Sequence, residues 1–397
     1  MVLSLETSNW ELAQGIVPEW WQKLMTCMQC GTCSATCPTA YAMDYTPRQL
    51  WQMLRLGLEK EVLASHTFWL CTVCKSCQVR CPRGIRLTDT MVALKEYAQQ
   101  RGVEVPERLV QLSQTVTSRY NISGEDNATR LIWSQNLPDP PPGVAPLRET
   151  ADVVYFIGCV GSFYPRTYSI PQSLVELLHR AGIDFTVMGG DEWCCGYPLY
   201  VSGNRAQIAG LAQHNVETIR RLKAKRVIFS CPSCFYAFTH LYPEVADLSG
   251  LTLQHSTEFL AELVTEGAFK LGPLEQAVTY HDPCDLGRKS GVYEAPRQII
   301  RAIPGLELRE MEASRENSLC CGGGGDVEIA DPTVTQGVAA RRIAQVEATG
   351  AQYVASACQQ CMRTLQESAR KNRVRVRTLD VVELLWLSVQ AAEELTV

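Results

Sequence analysis

The pattern of apolar and polar residues changes near residue 151, after which short apolar runs alternate with amphipathic stretches. V-V-Y-F-I-G-C at 153–159 and I-D-F-T-V-M at 183–188 predict strands, and S-L-V-E-L-L-H-R-A-G between them predicts a helix that ends at Gly182. A helix near 207–223 is followed by the apolar run R-V-I-F-S-C. Strands that alternate with helices predict a largely parallel sheet.

The same pattern occurs twice. V-T-Y-H-D-P-C at 278–284 corresponds to V-Y-F-I-G-C-V, and Q-Y-V-A-S-A-C-Q-Q-C at 352–361 corresponds to R-V-I-F-S-C-P-S-C. The cysteines of these stretches recur at offsets of 125 to 127 residues. We therefore predict two duplicated α/β domains, at 151–270 and 271–397. The apolar stretch D-V-V-E-L-L-W-L-S-V is predicted as the final helix of the second copy rather than as a membrane-surface helix, with V-R-V-R at 374–377 as the strand before it.

The N-terminal region has a helical pattern. P-R-Q-L-W-Q-M-L-R-L-G-L-E-K carries apolar residues at Leu50, Met53, Leu54 and Leu56, and D-T-M-V-A-L-K-E-Y-A at 89–98 predicts a second amphipathic helix. Residues 104–150 lose this periodicity and end in L-P-D-P-P-P-G-V-A-P, which is typical of a stiff linker. We predict an α-helical domain at 1–103 and a linker at 104–150.

Composition narrows the class of protein. Of the 397 residues, 46% are apolar and the formal net charge is −5, so the basic footprint typical of nucleic-acid binding is absent and we expect no nucleic-acid partner. The N-terminus lacks the features of a secretory signal, and no run approaches the roughly 18 apolar residues of a membrane span. With 18 cysteines in CxxC-like spacings, we expect metal-bound thiolates in a cytoplasmic protein.

Eight cysteines form two copies of the spacing C-x2-C-x2-C-x3-C-P. Three closely spaced cysteines can bind one [4Fe–4S] cubane, and the fourth binds the neighbouring cluster. We therefore predict one ferredoxin-like cluster held by Cys27, Cys30, Cys33 and Cys81, and a second held by Cys71, Cys74, Cys77 and Cys37. Structural zinc is the alternative, although it usually takes two CxxC pairs.

The other ten cysteines form two sets, each consisting of one cysteine, a C-C pair and a CxxC. The predicted metal ligands are Cys159, Cys194, Cys195, Cys231 and Cys234 in the first copy and Cys284, Cys320, Cys321, Cys358 and Cys361 in the second. The first cysteine and the CxxC of each set follow predicted strands, at the sheet edge where ligands bind in α/β proteins. Five thiolates exceed the needs of a cubane, which leaves open an unusual cluster, a cubane plus a reactive thiol, or zinc.

The residues around these cysteines suggest further roles. The glycines beside the C-C pairs, Gly196, Gly322 and Gly323, are predicted to let the backbone approach a cofactor. We predict that Cys195, Cys321 and His281 take part in catalysis, His281 as a proton donor or through a hydrogen bond that tunes a cluster. His255 is interpreted as a capping or packing residue rather than as a second proton donor, and Arg288 and Lys289 as solvated loop charges rather than as a site for an anionic substrate tail.

The two cysteine sets resemble the CCG-domain family, and C-C-G-Y-P-L and H-D-P-C add local detail. The order of a ferredoxin-type part and two CCG domains resembles a fusion of the C and B subunits of heterodisulfide reductase, the layout of its D subunit. The resemblance covers roughly residues 20–397. It implies a noncubane [4Fe–4S] cluster in each CCG domain, and two such clusters that cleave a disulfide by one-electron steps.

The same layout occurs in iron–sulfur subunits that act as electron relays. These include subunits of glycolate or lactate oxidases, of some succinate dehydrogenases and of electron-bifurcating complexes. No nucleotide-binding glycine motif follows a predicted strand, so we expect electrons to come from a flavin-containing or cytochrome-type partner subunit. Such a partner could hold the chain at the cytoplasmic face of a membrane. The hypotheses are therefore a disulfide-reducing subunit, an electron relay, or a scaffold whose CCG halves bind zinc.

Overall fold

Residues 8–395 are described by a computed structural model, and their contacts divide the chain into two compact units. Of the described residues, the helical unit comprises 8–113 together with segments 198–205 and 319–339. The sheet unit comprises 114–197, 206–318 and 340–395. None of the helices in the described part is long and apolar enough to cross a membrane.

The helical unit is built from short helices around an aromatic core. Thr46 and Gln49 form a capping box, and Pro47 starts the helix that the sequence predicts. This helix buries Trp51 against a core that includes Phe68 and Trp69. The helices that begin before Ser113 are α1 (Leu12–Ile16), α2 (Trp21–Met25), α3 (Thr32–Ala35), α4 (Pro47–Arg55), α5 (Glu59–Leu63), α6 (Ser76–Val79), α7 (Leu87–Gln100) and α8 (Glu107–Arg119).

The sheet unit contains two parallel sheets of identical topology, ordered β2-β1-β3-β4 and β6-β5-β7-β8. The two predicted α/β copies are thus confirmed by strand order as well as by cysteine spacing. The strands are β1 (Val153–Phe156), β2 (Phe185–Val187), β3 (Arg226–Phe229), β4 (Thr252–His255), β5 (Gln276–His281), β6 (Leu306–Leu308), β7 (Tyr353–Ser356) and β8 (Arg377–Asp380).

Helices connect the strands and pack reciprocally between the two repeats. In the sheet unit, the helix Ser169–Arg180 of the first repeat packs on the last helix of the second repeat, Val381–Glu394. The last helix of the first repeat, Ser256–Thr265, packs on the helix Glu294–Ala302 of the second. The remaining helices are α9 (Gly158–Phe163), α10 (Ser169–Arg180), α11 (Tyr197–Val201), α12 (Ile208–Arg221), α13 (Pro232–Tyr236), α14 (Ser256–Thr265), α15 (Gly287–Ser290), α16 (Glu294–Ala302), α17 (Val327–Ala330), α18 (Pro332–Ala348), α19 (Gln359–Asn372) and α20 (Val381–Glu394).

Two local features differ from the sequence interpretation. The segment 104–150 contains α8, whose buried Leu109, Leu112 and Val116 form one helical stripe after Pro106. The strand expected at 374–377 was placed wrongly, because β8 runs from Arg377 to Asp380. Its pairing with β7 begins at Arg377, so neighbouring-strand hydrogen bonds define this strand rather than the Val-Arg alternation.

Candidate functional site

The eight N-terminal cysteines converge in two groups inside the helical unit. One cavity is lined by Cys27, Cys30 and Cys33 and, from the second motif, by Cys81. Cys30 is exposed at the surface, and its hydrogen bond with Thr32 lowers the pKa of the thiol. Four thiols on one cavity are the donor set that a [4Fe–4S] cubane requires, so the residues present fit that group.

The second group is more deeply buried. The charges of Cys71 and Cys74 act on both Cys37 and Cys77, which places the fourth cysteine of the first motif beside the second motif. Burial raises the pKa of the Cys37 thiol to about 12. A metal that binds here must therefore displace the thiol protons and neutralise the thiolate charge.

The five cysteines of the first repeat also come together, and all five are buried in the sheet unit. Hydrogen bonds from the neighbouring thiols of Cys194 and Cys234 lower the pKa of Cys195 to about 6. The other thiol contacts are made between Cys159 and Cys194 and between Cys231 and Cys234. A chain of thiol contacts thus joins the whole set, and it can hold a soft metal or an iron–sulfur cluster.

A buried ion pair supports the first cysteine of this set. Arg130 Nε lies 3.3 Å from Glu192 Oε1, and Arg130 Nη2 donates to Cys159 Sγ at 3.4 Å. The Glu192 carboxylate accepts the backbone N–H groups of Ile157 and Gly158 at 2.9 and 2.8 Å. A single ion pair therefore fixes the N-terminus of α9, which carries Cys159, and places a cation on its sulfur.

The cysteines of the second repeat lie in both units. Cys284 follows β5, and Cys358 and Cys361 follow the neighbouring strand β7, so these three lie on the carboxyl edge of one sheet. Cys320 and Cys321 belong to segment 319–339 of the helical unit, although the sequence pattern predicts that segment as part of the second α/β domain.

The glycine run after the second C-C pair explains why this segment packs with the helical unit. Gly325 has a φ of +63°, and a Cβ at this position would lie 2.4 Å from the carbonyl oxygen of Cys71. Only glycine allows the backbone to approach the Cys71 loop this closely. The run thus contacts a ligand loop of the predicted second cubane within the helical unit.

The glycines that directly follow the two C-C pairs were predicted to bind the cofactor, and they share one backbone geometry. The backbone N–H of Gly322 donates to Cys320 Sγ at 3.3 Å, and that of Gly196 donates to Cys194 in the first repeat. Both glycines have positive φ values, and Gly323 is buried next to Gly322. An amide therefore faces the first sulfur of each C-C pair.

The two histidines singled out in the sequence have different environments. Arg342 Nε donates to His281 Nδ1 at 3.0 Å in a buried contact, which makes Nδ1 the acceptor. His255 is the N-cap of α14 and forms a capping box with Glu258, as Asp380 does with Glu383 at the same position of the second repeat. Burial lowers the pKa of His255 to about 3. His255 is therefore a neutral capping residue.

Lys289 is buried rather than solvated, which corrects our interpretation of it. Its Nζ lies 2.7 Å from Asp285 Oδ1 and also donates to the hydroxyl of Tyr197, two residues after Cys195. Ser233, inside the CxxC of the first repeat, donates to the other oxygen of Asp285 at 2.6 Å. Asp285 is the neighbour of Cys284, so one ion pair joins ligand loops of both repeats.

Gln359 makes the reciprocal connection from the second repeat to the first. This buried residue lies inside the CxxC of the second repeat, and its Oε1 accepts the backbone N–H of Gly161 at 2.9 Å. Its Nε2 donates to the carbonyl of Ile157 at 3.1 Å and to Ser230 Oγ at 2.7 Å. Each CxxC thus hydrogen-bonds the segment that carries the other repeat's first cysteine, an arrangement that we call the reciprocal clasp.

Sequence reasoning missed several residues that shape the site. Arg130 lies in the segment interpreted as a linker, and Glu192, Gln359 and Asp285 are single polar residues without a periodic signal. Their proximity to cysteines in the sequence was the available clue for Glu192, Gln359 and Asp285. No comparable clue identifies Arg130, because its partners lie about 30 to 60 residues away along the chain.

Comparison with known proteins identifies both types of cysteine motif. A family described as a cysteine-rich domain (CCG) matches residues 153–239 and 278–366, and one described as a 4Fe-4S dicluster domain matches residues 23–85. A crystal structure of a hypothetical protein from Helicobacter pylori has a TM-score of 0.57 at 9% identity. The match covers 96% of this chain and 74% of that one, and it supports the fold alone.

Relatives match along nearly the whole chain. The D subunit of dihydromethanophenazine:CoB–CoM heterodisulfide reductase from Methanosarcina barkeri is 30% identical over 390 residues, which are 91% of this chain and 93% of the relative. The protein of the same name from Methanosarcina mazei is 29% identical over 391 residues, with the same coverage. The EtfAB:quinone oxidoreductase of Syntrophomonas wolfei is 28% identical over 83% of this chain and 48% of that protein.

These similarities extend over the helical part and both repeats, and they confirm the resemblance seen in the cysteine spacing. The 4Fe-4S dicluster and cysteine-rich matches also support iron–sulfur clusters as cofactors. The relatives are subunits of redox enzymes, so the corresponding role here is that of an oxidoreductase subunit. The chain belongs to the family of iron–sulfur proteins formed by the D subunits of heterodisulfide reductase.

Proposed function

We propose that this chain passes electrons from a redox partner through two [4Fe–4S] cubanes to two further clusters in the CCG repeats, where a small disulfide is reduced or formed from thiols. The bound clusters would supply single electrons, and two electrons with two protons convert one disulfide into two thiols. A flavin-containing or cytochrome-type subunit is the proposed electron partner.

The reciprocal clasp is the observation that carries this proposal. Gln359 and Ser233 tie each CxxC to the segment that carries the first cysteine of the other repeat through hydrogen bonds of 2.6 to 3.1 Å, and those of Gln359 are buried. Buried polar groups that are fully satisfied fix one arrangement of the loops around them. Two metal sites held in fixed relation suit a reaction that splits one substrate into two sulfur products, one at each site.

The proposed ligand sets follow the placement of the thiols. Cys81 lines the cavity of the Cys27, Cys30 and Cys33 group, which supports exchange of the fourth ligand between the two cubanes. Replacing Cys81 with serine should remove the EPR signal of that cluster. Loss of the Cys71 cluster instead would show that the ligands do not cross.

For the CCG sites, we propose that the five cysteines of each repeat hold a noncubane [4Fe–4S] cluster. Five converging thiols in the first repeat support this stoichiometry, because a zinc site would use only four. Gly196 and Gly322 would donate backbone N–H groups to cluster sulfur, with Gly323 beside them. We also propose Cys195, Cys321 and His281 as the residues closest to the chemistry.

The substrate class is proposed from the relatives and from the sulfur-rich site. The Methanosarcina relatives are named for a CoB–CoM heterodisulfide, which is a disulfide between two different thiols. The Cys195→Ala variant tests this function. It should abolish disulfide reduction with reduced methyl viologen as the donor, while the EPR signals of both cubanes persist. Disulfide reduction at the wild-type rate would refute a role for this site in the reaction.

The second candidate is an electron relay to or from a flavin partner. The similarity to an EtfAB:quinone oxidoreductase over 83% of this chain favours it, because that relative is named for electron transfer between EtfAB and a quinone rather than for a disulfide. In a relay, thiols and disulfides would leave the spectra of the CCG sites unchanged.

A further inference from the structure

The two cysteine groups of the helical unit differ in their access to the surface. In the group of Cys27, Cys30, Cys33 and Cys81, Cys30 is exposed, and the side chain of the adjacent Met28 is 63% exposed. The other group is covered, since none of its four cysteines is exposed and the Gly325 backbone packs on the Cys71 loop. An electron carrier in solution can therefore approach the first group more closely.

The opening above this first group is positively charged. Arg48 and Arg83 line the cavity, and among the described residues no carboxylate does so. A Cβ at Gly31, inside the cysteine loop, would lie 3.8 Å from Arg48 Cδ, and one at Gly84 would lie 4.0 Å from Lys23 Cε. We call the surface formed by Lys23, Met28, Arg48 and Arg83 the cluster mouth.

The three cations of the cluster mouth are exposed and available to a partner. Within residues 8–395, no hydrogen bond or ion pair engages the side chain of Lys23, Arg48 or Arg83. By contrast, the neighbouring exposed Arg86 pairs with Asp89 at 2.8 Å. Three unpaired cations on one face of a chain with a net charge of −5 form a local patch opposite in sign to the whole protein.

We propose that the cluster mouth is the docking surface for an acidic electron-carrier protein, and that electrons enter or leave the chain at Cys30. The proposal rests on the proposed cubane at Cys27, Cys30, Cys33 and Cys81. Unpaired cations attract a carrier of opposite charge and accelerate its association. Met28 supplies an apolar contact within a small interface of the kind that transient redox pairs form. An anionic membrane fits less well, because lipid attraction does not require an exposed cluster ligand.

The test compares a double charge reversal at the mouth with a matched reversal elsewhere. The test variant is R48E/R83E and the control is K270E/R375E, whose residues are exposed and make no ion pair within the described part of the chain. Both variants are purified anaerobically with their clusters, and iron content and cubane EPR signals are measured first. Stopped-flow absorbance then follows reduction by a reduced acidic [2Fe–2S] ferredoxin.

The expected rate constant with the acidic ferredoxin falls about tenfold or more in R48E/R83E at low ionic strength, and the difference shrinks toward about 0.5 M salt, which screens exposed charges. The control variant should react like the wild type. Reduction by methyl viologen radical cation should not slow in either variant.

Three results would overturn the proposal. The first is an unchanged rate with the acidic ferredoxin. The second is an equal slowing with both donors, which would mean that the arginines set the cluster potential rather than bind a carrier. The third is loss of co-sedimentation with anionic phospholipid vesicles at an unchanged ferredoxin rate, which would identify a membrane contact. Because cubane reduction is monitored directly, failure of disulfide chemistry would leave this test valid.

Discussion

The two CCG repeats share one scaffold but support their first cysteines in different ways. In the first repeat, Glu192 accepts two backbone N–H groups beside Cys159, and Arg130 contacts the sulfur. At the position of Glu192 the second repeat has Ser318, whose hydroxyl contacts the carbonyl of Asp282. The duplication has thus retained strand order and cysteine spacing, while the charges near each site have diverged.

As a result, the buried cations near the two sites have different partners. In the second repeat Arg297 is buried between Asp282, at 2.6 Å, and Glu310, also at 2.6 Å. Lys289 is paired with Asp285 next to Cys284. Within the described residues no cation donates to Cys284 Sγ itself, whereas Arg130 donates to Cys159 Sγ. A cation on a ligand sulfur stabilises the more negative reduced state, so we expect the first site to have the higher reduction potential.

The largest effect is expected for the Arg130→Met variant. It leaves Glu192 buried without its cation, and breaking a buried ion pair in this way typically costs about 3–5 kcal/mol. We expect a lower melting temperature and loss of the first CCG signal, with the second retained. R130M/E192Q should recover part of the stability, because the uncompensated charge is removed.

Arg297→Met is the matched control for that comparison, because it breaks the corresponding buried network of the second repeat. It should disturb the second CCG signal and leave the first. If R130M and R297M damage the same signal, the two repeats do not support separate sites.

A smaller effect is expected from breaking the reciprocal clasp at Gln359. Gln359→Ala removes the partner of the Gly161 N–H and the Ile157 carbonyl, and an unsatisfied buried group costs about 1–3 kcal/mol. Although Gln359 belongs to the second repeat, the EPR signal of the first site should change. Gln360→Ala, at the next position of α19, is the control and should leave that signal unaltered. Identical spectra for both variants would contradict coupling through the clasp.

The smallest effect at neutral pH is expected for His255, the N-cap residue of α14. Burial lowers the folded-state pKa of His255 to about 3, below an unfolded value of about 6.5. Between these values the unfolded chain binds more protons, so stability falls as pH decreases from about 6.5 toward 3, by about 1.4 kcal/mol per unit.

His255→Asn keeps a capping side chain and should reduce this acid sensitivity, with a change of less than about 1 kcal/mol at pH 7. Melting temperatures measured from about pH 7 to about pH 5 test the prediction, with His179→Asn, outside this cap, as the control. An unaltered slope in the His255 variant would show that this histidine is not the acid-sensitive group.

The sequence predicted the elements whose signals are local. Strands β1, β3, β5 and β7 follow from short apolar runs, and the two cysteine patterns define the repeats. Helix α8 was missed because the proline-rich end of its segment dominated the interpretation, although Leu109, Leu112 and Val116 carry helical spacing. The residues that predict this helix are therefore present in the sequence, and only their interpretation was wrong.

The contacts around the sites could not be predicted in the same way. Gln359 reaches Ile157 across 202 residues of sequence, and Lys289 reaches Tyr197 across 92. No periodicity links such pairs, because tertiary packing alone brings them together. The burial of Lys289 was missed for the same reason, since its partners Asp285 and Tyr197 are identified only by the fold.

The most direct test of the central claim is metal analysis with EPR on anaerobically purified protein, before and after addition of small thiols to the oxidised sample. We predict about 16 irons per chain, four for each of four clusters, and a new paramagnetic signal after thiol addition. About 8 irons together with zinc, or about 16 irons with no spectral response to thiols, would contradict disulfide chemistry at paired CCG clusters.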